Sequence, residues 1–139
     1  MRLVKYLLLW IYSYNMAKKF VDENISNLFT PTTMDLIISK KKSCFSNRRP
    51  SAKDGEVYDF NGVKLYIVEV WYGTYGFACM RLFKLEGFET QKEYVKYMES
   101  IFKKIKPNDI MYHHHFIMLD PPKLIDEKVV DEEVAAITL

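Results

Sequence analysis

Hydrophobic and polar positions are most sharply organised between Glu56 and Tyr72. Two apolar-rich arms, "EVYDF" and "VKLYIVEVWY", are joined by Asn61-Gly62, the favoured two-residue hairpin turn. The second arm is apolar on both faces: Val63, Leu65, Ile67 and Trp71 alternate with Tyr66, Val68, Val70 and Tyr72. That pattern predicts a strand covered on both sides. The period then changes. In "TQKEYVKYMESIFKKI", Tyr94, Met98, Ile101, Phe102 and Ile105 fall on one helical face, and Thr90 with Glu93 makes a capping box. After Pro107, "DIMYHHHFIMLD" reads as a strand stopped by Pro121-Pro122. On it His113 and His115 share one face and His114 takes the other.

Upstream, Phe20, Val21, Ile25 and Leu28 stand at helical spacing and predict a helix. Thr30 as N-cap with Pro31 behind it starts another, with Leu36, Ile37 and Ile38 as its buried end, closing near Ser39. "CFSNRRP" reads as a short strand or loop, and "YGFACMRLFKLEGF" as a short helix ending near Gly87. Strands on both sides of a helical insert predict an α+β fold, a small mixed β-barrel flanked by helices.

The chain of 139 residues has room for one core. We divide it into an N-terminal extension (1–28), a domain (29–120) and an acidic tail (121–139). Net charge is only +2, but the tail from Lys123 onward carries −3, and six cations fall between Lys40 and Lys53. Lys40, Lys41 and Lys42 suit the negative end of a helix dipole. Together with Arg48 and Arg49 they equally suit an anion. Cys44 and Cys79 form no disulfide framework, so a reduced, cytoplasmic chain is expected. The stretch "YLLLWIYSY" is far shorter than the roughly 20 residues of a membrane span and lacks a small-x-small cleavage site. A buried or partner-facing segment is expected there, or a true start at Met16, with a signal or anchor as the alternative. The three histidines bring no third ligand by spacing, so neither metal nor cofactor is expected.

The ordered pieces "DLIISKKK", "KDGEVYDFNG", "LEGFETQKEYVKYM" and "HHFIML" resemble the ASCH domain family, PUA-like β-barrels associated with RNA. ASCH domains show a helix ending in Gly-x-Lys, an Arg a few residues on, a Gly-Asp pair before a strand, and an acidic-Gly-Phe before a helix. Glu86-Gly87-Phe88 matches the last, and Gly55-Glu56 stands for Gly-Asp. In an ungapped match Ser39 takes the glycine's place and Lys41 is the motif lysine; a one-residue bulge makes it Lys42. Arg48 or Arg49 supplies the arginine through an insertion. The threonine or glutamate between them becomes Cys44, or Ser43 or Ser46 in a shifted register.

What the resemblance implies is a cleft at one end of the barrel holding the basic segment and Glu86. The leading expectation is an RNA- or nucleotide-binding domain. Its contacts would come from Lys40, Lys41, Lys42, Arg48 and Arg49, with Phe45 or Tyr58 as a stacking face and His113 and His115 lining the cleft. The alternative is a small amidohydrolase or ribonuclease, for which the resemblance places Lys41 or Lys42, Ser43 or Cys44, and Glu86 in the catalytic set. A lysine acting there must be largely neutral, which burial favours. A third expectation is a non-catalytic module docking a protein partner through the apolar N-terminus or the acidic tail.

Overall fold

The computed structural model describes residues 8, 11, 16–22 and 24–120. Strand β1 (Lys18–Lys19) is followed by helices α1 (Ile25–Leu28) and α2 (Pro31–Ile38), then strand β2 (Cys44–Asn47). The hairpin β3 (Val57–Phe60) and β4 (Val63–Thr74) leads to the one-turn α3 (Tyr75–Phe77) and a π-helical turn (Ala78–Leu82), then α4 (Gln91–Ile101) and β5 (Ile110–Leu119). Asn61 and Gly62 take φ of 51° and 87°, the left-handed pair that a two-residue hairpin turn requires.

The five strands form one mixed sheet in the order β1-β3-β4-β5-β2. β1 runs parallel to β3, and the other pairs are antiparallel. The architecture is therefore α+β, as expected, but backbone hydrogen bonds do not close the sheet into a barrel. Its end strands are only two and four residues long, too short to ladder with each other, and side chains join their flanks instead. Asn47 Nδ2 donates to Asp22 Oδ2 (3.0 Å), Asn24 Nδ2 to Asn47 Oδ1 (3.3 Å), and Phe20 meets Phe45 edge-on at 6.2 Å.

Two sequence expectations change. No helix runs from Phe20: β1 pairs with β3, and Phe20 stacks on Tyr58 at 4.7 Å and meets Phe29 edge-on at 5.6 Å. Aromatic packing there overrides helical spacing, leaving only Ile25–Leu28 helical. β4 is not covered on both faces either. Leu65 and Ile67 are fully buried, but Val68, at the bulge between Ile67 and Glu69, is 52% exposed, and Tyr72 beyond it is 69% exposed. The strand with cover on both sides is β5, where Met111, His113, His114 and Phe116 are all buried.

Two helix starts form as the sequence predicts. Thr30 Oγ1 accepts from the Thr33 N–H and Thr90 Oγ1 from the Glu93 N–H, satisfying orphan donors of the first turns of α2 and α4. α4 then seats Tyr94, Met98 and Phe102 in the core. At the end of α2, Ile37 is buried while Ile38 faces solvent. Among the described residues, no helix is long and apolar enough to cross a membrane. Apart from Leu8 and Ile11, the apolar N-terminal stretch lies outside the described residues, as does the acidic tail.

Candidate functional site

The end of α2 decides which lysine turns inward. Lys40 takes a left-handed φ of 64°. The amides of Lys40, Lys41 and Lys42 bond back to the carbonyls of Ile37, Leu36 and Leu36, a helix stop normally given to glycine. The chain reverses there, so Lys40 and Lys41 stay in solvent while Lys42 points inward, 2% exposed. Of the two lysines that the sequence left open, Lys41 is exposed and Lys42 is the one turned inward.

The other half of the site comes from the turn after the π-helical residues. Glu86 N bonds to Leu82 O, and Gly87, with φ 97°, carries the chain away toward α4. Leu85 O accepts from both Ser43 N (2.8 Å) and Cys44 N (3.1 Å), which ties this turn to the start of β2. Lys42 Nζ then donates to the Glu86 carbonyl at 3.0 Å.

Around the Glu86 side chain the structure assembles a buried polar network. Ser46 Oγ donates to Glu86 Oε2 at 2.9 Å and Tyr94 OH to the same oxygen at 2.5 Å. Ser46 Oγ also lies 2.6 Å from His113 Nδ1. Ser46 and His113 are paired across β2 and β5, so strand register sets that contact. Burial raises the pKa of Glu86, opposed by Lys42, Tyr94 and Ser46. It lowers that of Lys42, opposed by Glu86 and Cys44. Both charges are disfavoured by desolvation and partly restored by each other.

The remaining expected residues are dispersed. Lys40 pairs with Asp120 at 2.9 Å, and Lys41 is exposed. Arg48 and Arg49 lie beyond the other end of β2. Arg48 Nη2 donates to Lys103 O at 3.0 Å, and its guanidinium sits 5.5 Å over the Phe102 ring. Phe45 is fully buried, stacked on His114 at 4.2 Å. Tyr58 is buried against Phe20, its hydroxyl donating to Glu56. Neither ring offers a stacking face. Cys44 is buried and its thiol is pushed well up by burial and by Glu86, which disfavours the thiolate that a nucleophile requires. His115 is half-buried and accepts from Trp71 Nε1 at 2.8 Å.

Ser43 is half-buried and lines an open groove of about 500 Å³ with Lys40, Lys42, Ile37 and the β5 end from Phe116 to Asp120. A second groove, of about 630 Å³, holds Arg48, Arg49, Asn24, Asp22 and Ser51. The basic segment thus serves two hollows rather than one. Tyr94 is the network member that sequence reasoning missed, while His113, expected to line the cleft and bond a ligand, bonds Ser46 instead. Strand alternation placed His113 on the face of His115, and no local signal ties Tyr94 to Glu86.

No family model and no curated protein matches this sequence. Solved structures do. The chain is similar to an ASCH domain from Lactobacillus crispatus, with a TM-score of 0.57 and 14% identity over 85% of this chain and 94% of that one. It is also similar to a protein from Enterococcus faecalis, with a TM-score of 0.51 and 12% identity over 90% and 97% of the two chains. The likeness is one of fold, and the fold is ASCH-like.

Proposed function

We propose that this chain binds a nucleotide-type ligand, RNA or smaller, in the groove that Lys42 lines. One observation carries the reading: Lys42, one of the residues lining the groove, is buried and bonds to the carbonyl of the buried acid Glu86. The groove wall is largely apolar, from Ile37, Phe116, Ile117, Met118 and Leu119, with Lys40, Lys42 and Ser43 as convergent polar groups. Apolar walls with a few placed donors suit a flat base carrying a phosphate. Lys42 and Arg48 are separated by six residues of extended chain, roughly 20 Å. One phosphate cannot engage both, whereas an extended single strand can. The test is titration of a single-stranded RNA oligonucleotide and of AMP by fluorescence anisotropy and calorimetry over a range of salt. Affinity unchanged in a Lys40→Ala/Lys42→Met double variant removes the groove as the site.

A second reading, hydrolysis, draws support from Lys42, Ser46 and Glu86. The resemblance implies a lysine, a hydroxyl residue and a glutamate for an amidohydrolase; Ser46, rather than the expected Ser43 or Cys44, is the hydroxyl bonded to Glu86, to whose carbonyl Lys42 also bonds. A lysine made less basic by burial is the form such chemistry requires. Incubation with acyl-cytidines tests it. Turnover that survives Ser46→Ala excludes this cluster.

A further inference from the structure

The buried network can be read proton by proton. Tyr94 has one hydroxyl proton, held firmly because burial and then Glu86 push its pKa far up, and that proton goes to Glu86 Oε2. Ser46 also has one. Its oxygen lies between two groups, Glu86 Oε2 at 2.9 Å and His113 Nδ1 at 2.6 Å. A hydroxyl can donate to only one of them. Two hydroxyls converging on a single carboxylate oxygen is the pattern of an oxygen that accepts twice. With Ser46 donating to Glu86, the short contact on its other side must be a donation from His113 Nδ1 to Ser46 Oγ. Burial lowers the His113 pKa to about 4, so near neutral pH the ring carries one proton.

His113 Nε2 makes no hydrogen bond of normal geometry among the described residues, although a Gly73 backbone group lies close enough to the ring to offset part of the lowering of its pKa. Trp71 packs on the ring at 4.5 Å and Gly73 adjoins Nε2, so the space beside that nitrogen is narrow.

We infer that His113 is a positioning residue of this site: it donates from Nδ1 to Ser46 and so leaves Glu86 as the only acceptor for the Ser46 proton. The inference rests on the reading that the Lys42–Ser46–Glu86 cluster is functional, and it adds the residue that aims the hydroxyl. The competing arrangement has a protonated Glu86 donating to Ser46, Ser46 donating to Nδ1, and the proton on Nε2. The two differ in the tautomer of one imidazole.

The experiment uses the full chain, ligand-free, with ¹⁵N-labelled histidine and multiple-bond ¹H–¹⁵N NMR at neutral pH. His113 is assigned by the signal lost in His113→Asn. The expected result is protonated Nδ1 with bare Nε2, and a shift to the Nε2-protonated form in Ser46→Ala, where the acceptor that holds the Nδ1 proton is gone. An Nε2-protonated ring in the native chain overturns the inference. So does a tautomer unmoved by Ser46→Ala. Because no ligand is present, failure to bind nucleotides would sink the proposed function without touching this result, and the reverse also holds.

Discussion

Lys42 Nζ reaches the main-chain carbonyl of Glu86 rather than its carboxylate, 3.0 Å away. Lysine here therefore satisfies a backbone acceptor in the turn that positions the acid. Lys42→Met keeps most of the stem volume and removes the donor. An unsatisfied buried carbonyl costs about 1–3 kcal/mol, so the urea midpoint should fall with little change in slope. A midpoint equal to that of the native chain would show that the bond adds nothing net.

Acid should destabilise the fold well above the carboxylate range. His113 and His114 have pKa values pushed by burial from 6.5 to about 4. The folded state thus binds fewer protons than the unfolded one between those values. Their contribution is complete above pH 6.5 and is lost as pH falls through about 4, on the order of 3 kcal/mol for each residue. For His114 the cause is visible: Nε2 accepts from Ser51 N at 2.9 Å and Nδ1 donates to Phe45 O, so a second proton breaks the Ser51 bond. Glu86 acts oppositely. Its raised pKa gives stability below about 4.5 that is lost as pH rises through the higher folded value. Urea midpoints from pH 4 to 7 should rise, and rise more steeply in Glu86→Gln. A flat profile contradicts the buried neutral histidines.

The hairpin, the α4 face and both threonine caps were legible in the sequence because each is set by neighbours a few residues apart. The alternation of His113 and His115 against His114 was legible for the same reason. What local pattern could not show is which partner each side chain meets across the sheet. Phe45 looked like a stacking face beside cations, yet register opposes it to His114 and the fold closes around both. Phe20 looked helical until Tyr58 and Phe29 captured it. Spacing could not tell which lysine turns inward, because a non-glycine residue, Lys40, holds the left-handed position at the helix end, and only backbone angles reveal that.

If the groove binds anions, Asp120 masks it. Its carboxylate holds Lys40 at 2.9 Å on the rim, and both groups are more than half exposed. Such a pair contributes at most about 1 kcal/mol, so little stability is at stake, but freeing the ammonium removes a competing anion. Asp120→Asn should tighten AMP binding by about 2- to 5-fold at low salt, on the scale of such a pair, with the gain fading as ionic strength rises. Calorimetry at two salt concentrations checks this. Weaker binding in Asp120→Asn would place the ligand elsewhere.

Gly87 links backbone conformation to the site. Its φ of 97° is a region that side chains disfavour, and an added Cβ would lie 2.9 Å from Leu36 Cδ1 and 3.4 Å from Lys42 Cβ. Gly55, with φ 76° and open space around it, serves as the control. Each change to Ala should cost about 1–2 kcal/mol for the left-handed backbone alone. Gly87→Ala should cost more than Gly55→Ala, because Leu36 and the Lys42 stem must also give way. Ligand affinity separates them further: displacing Lys42 should weaken nucleotide binding in Gly87→Ala, while Gly55→Ala should bind as the native chain does. Equal effects of the two substitutions on both stability and affinity would mean that the Lys42 stem does not depend on the space Gly87 leaves open.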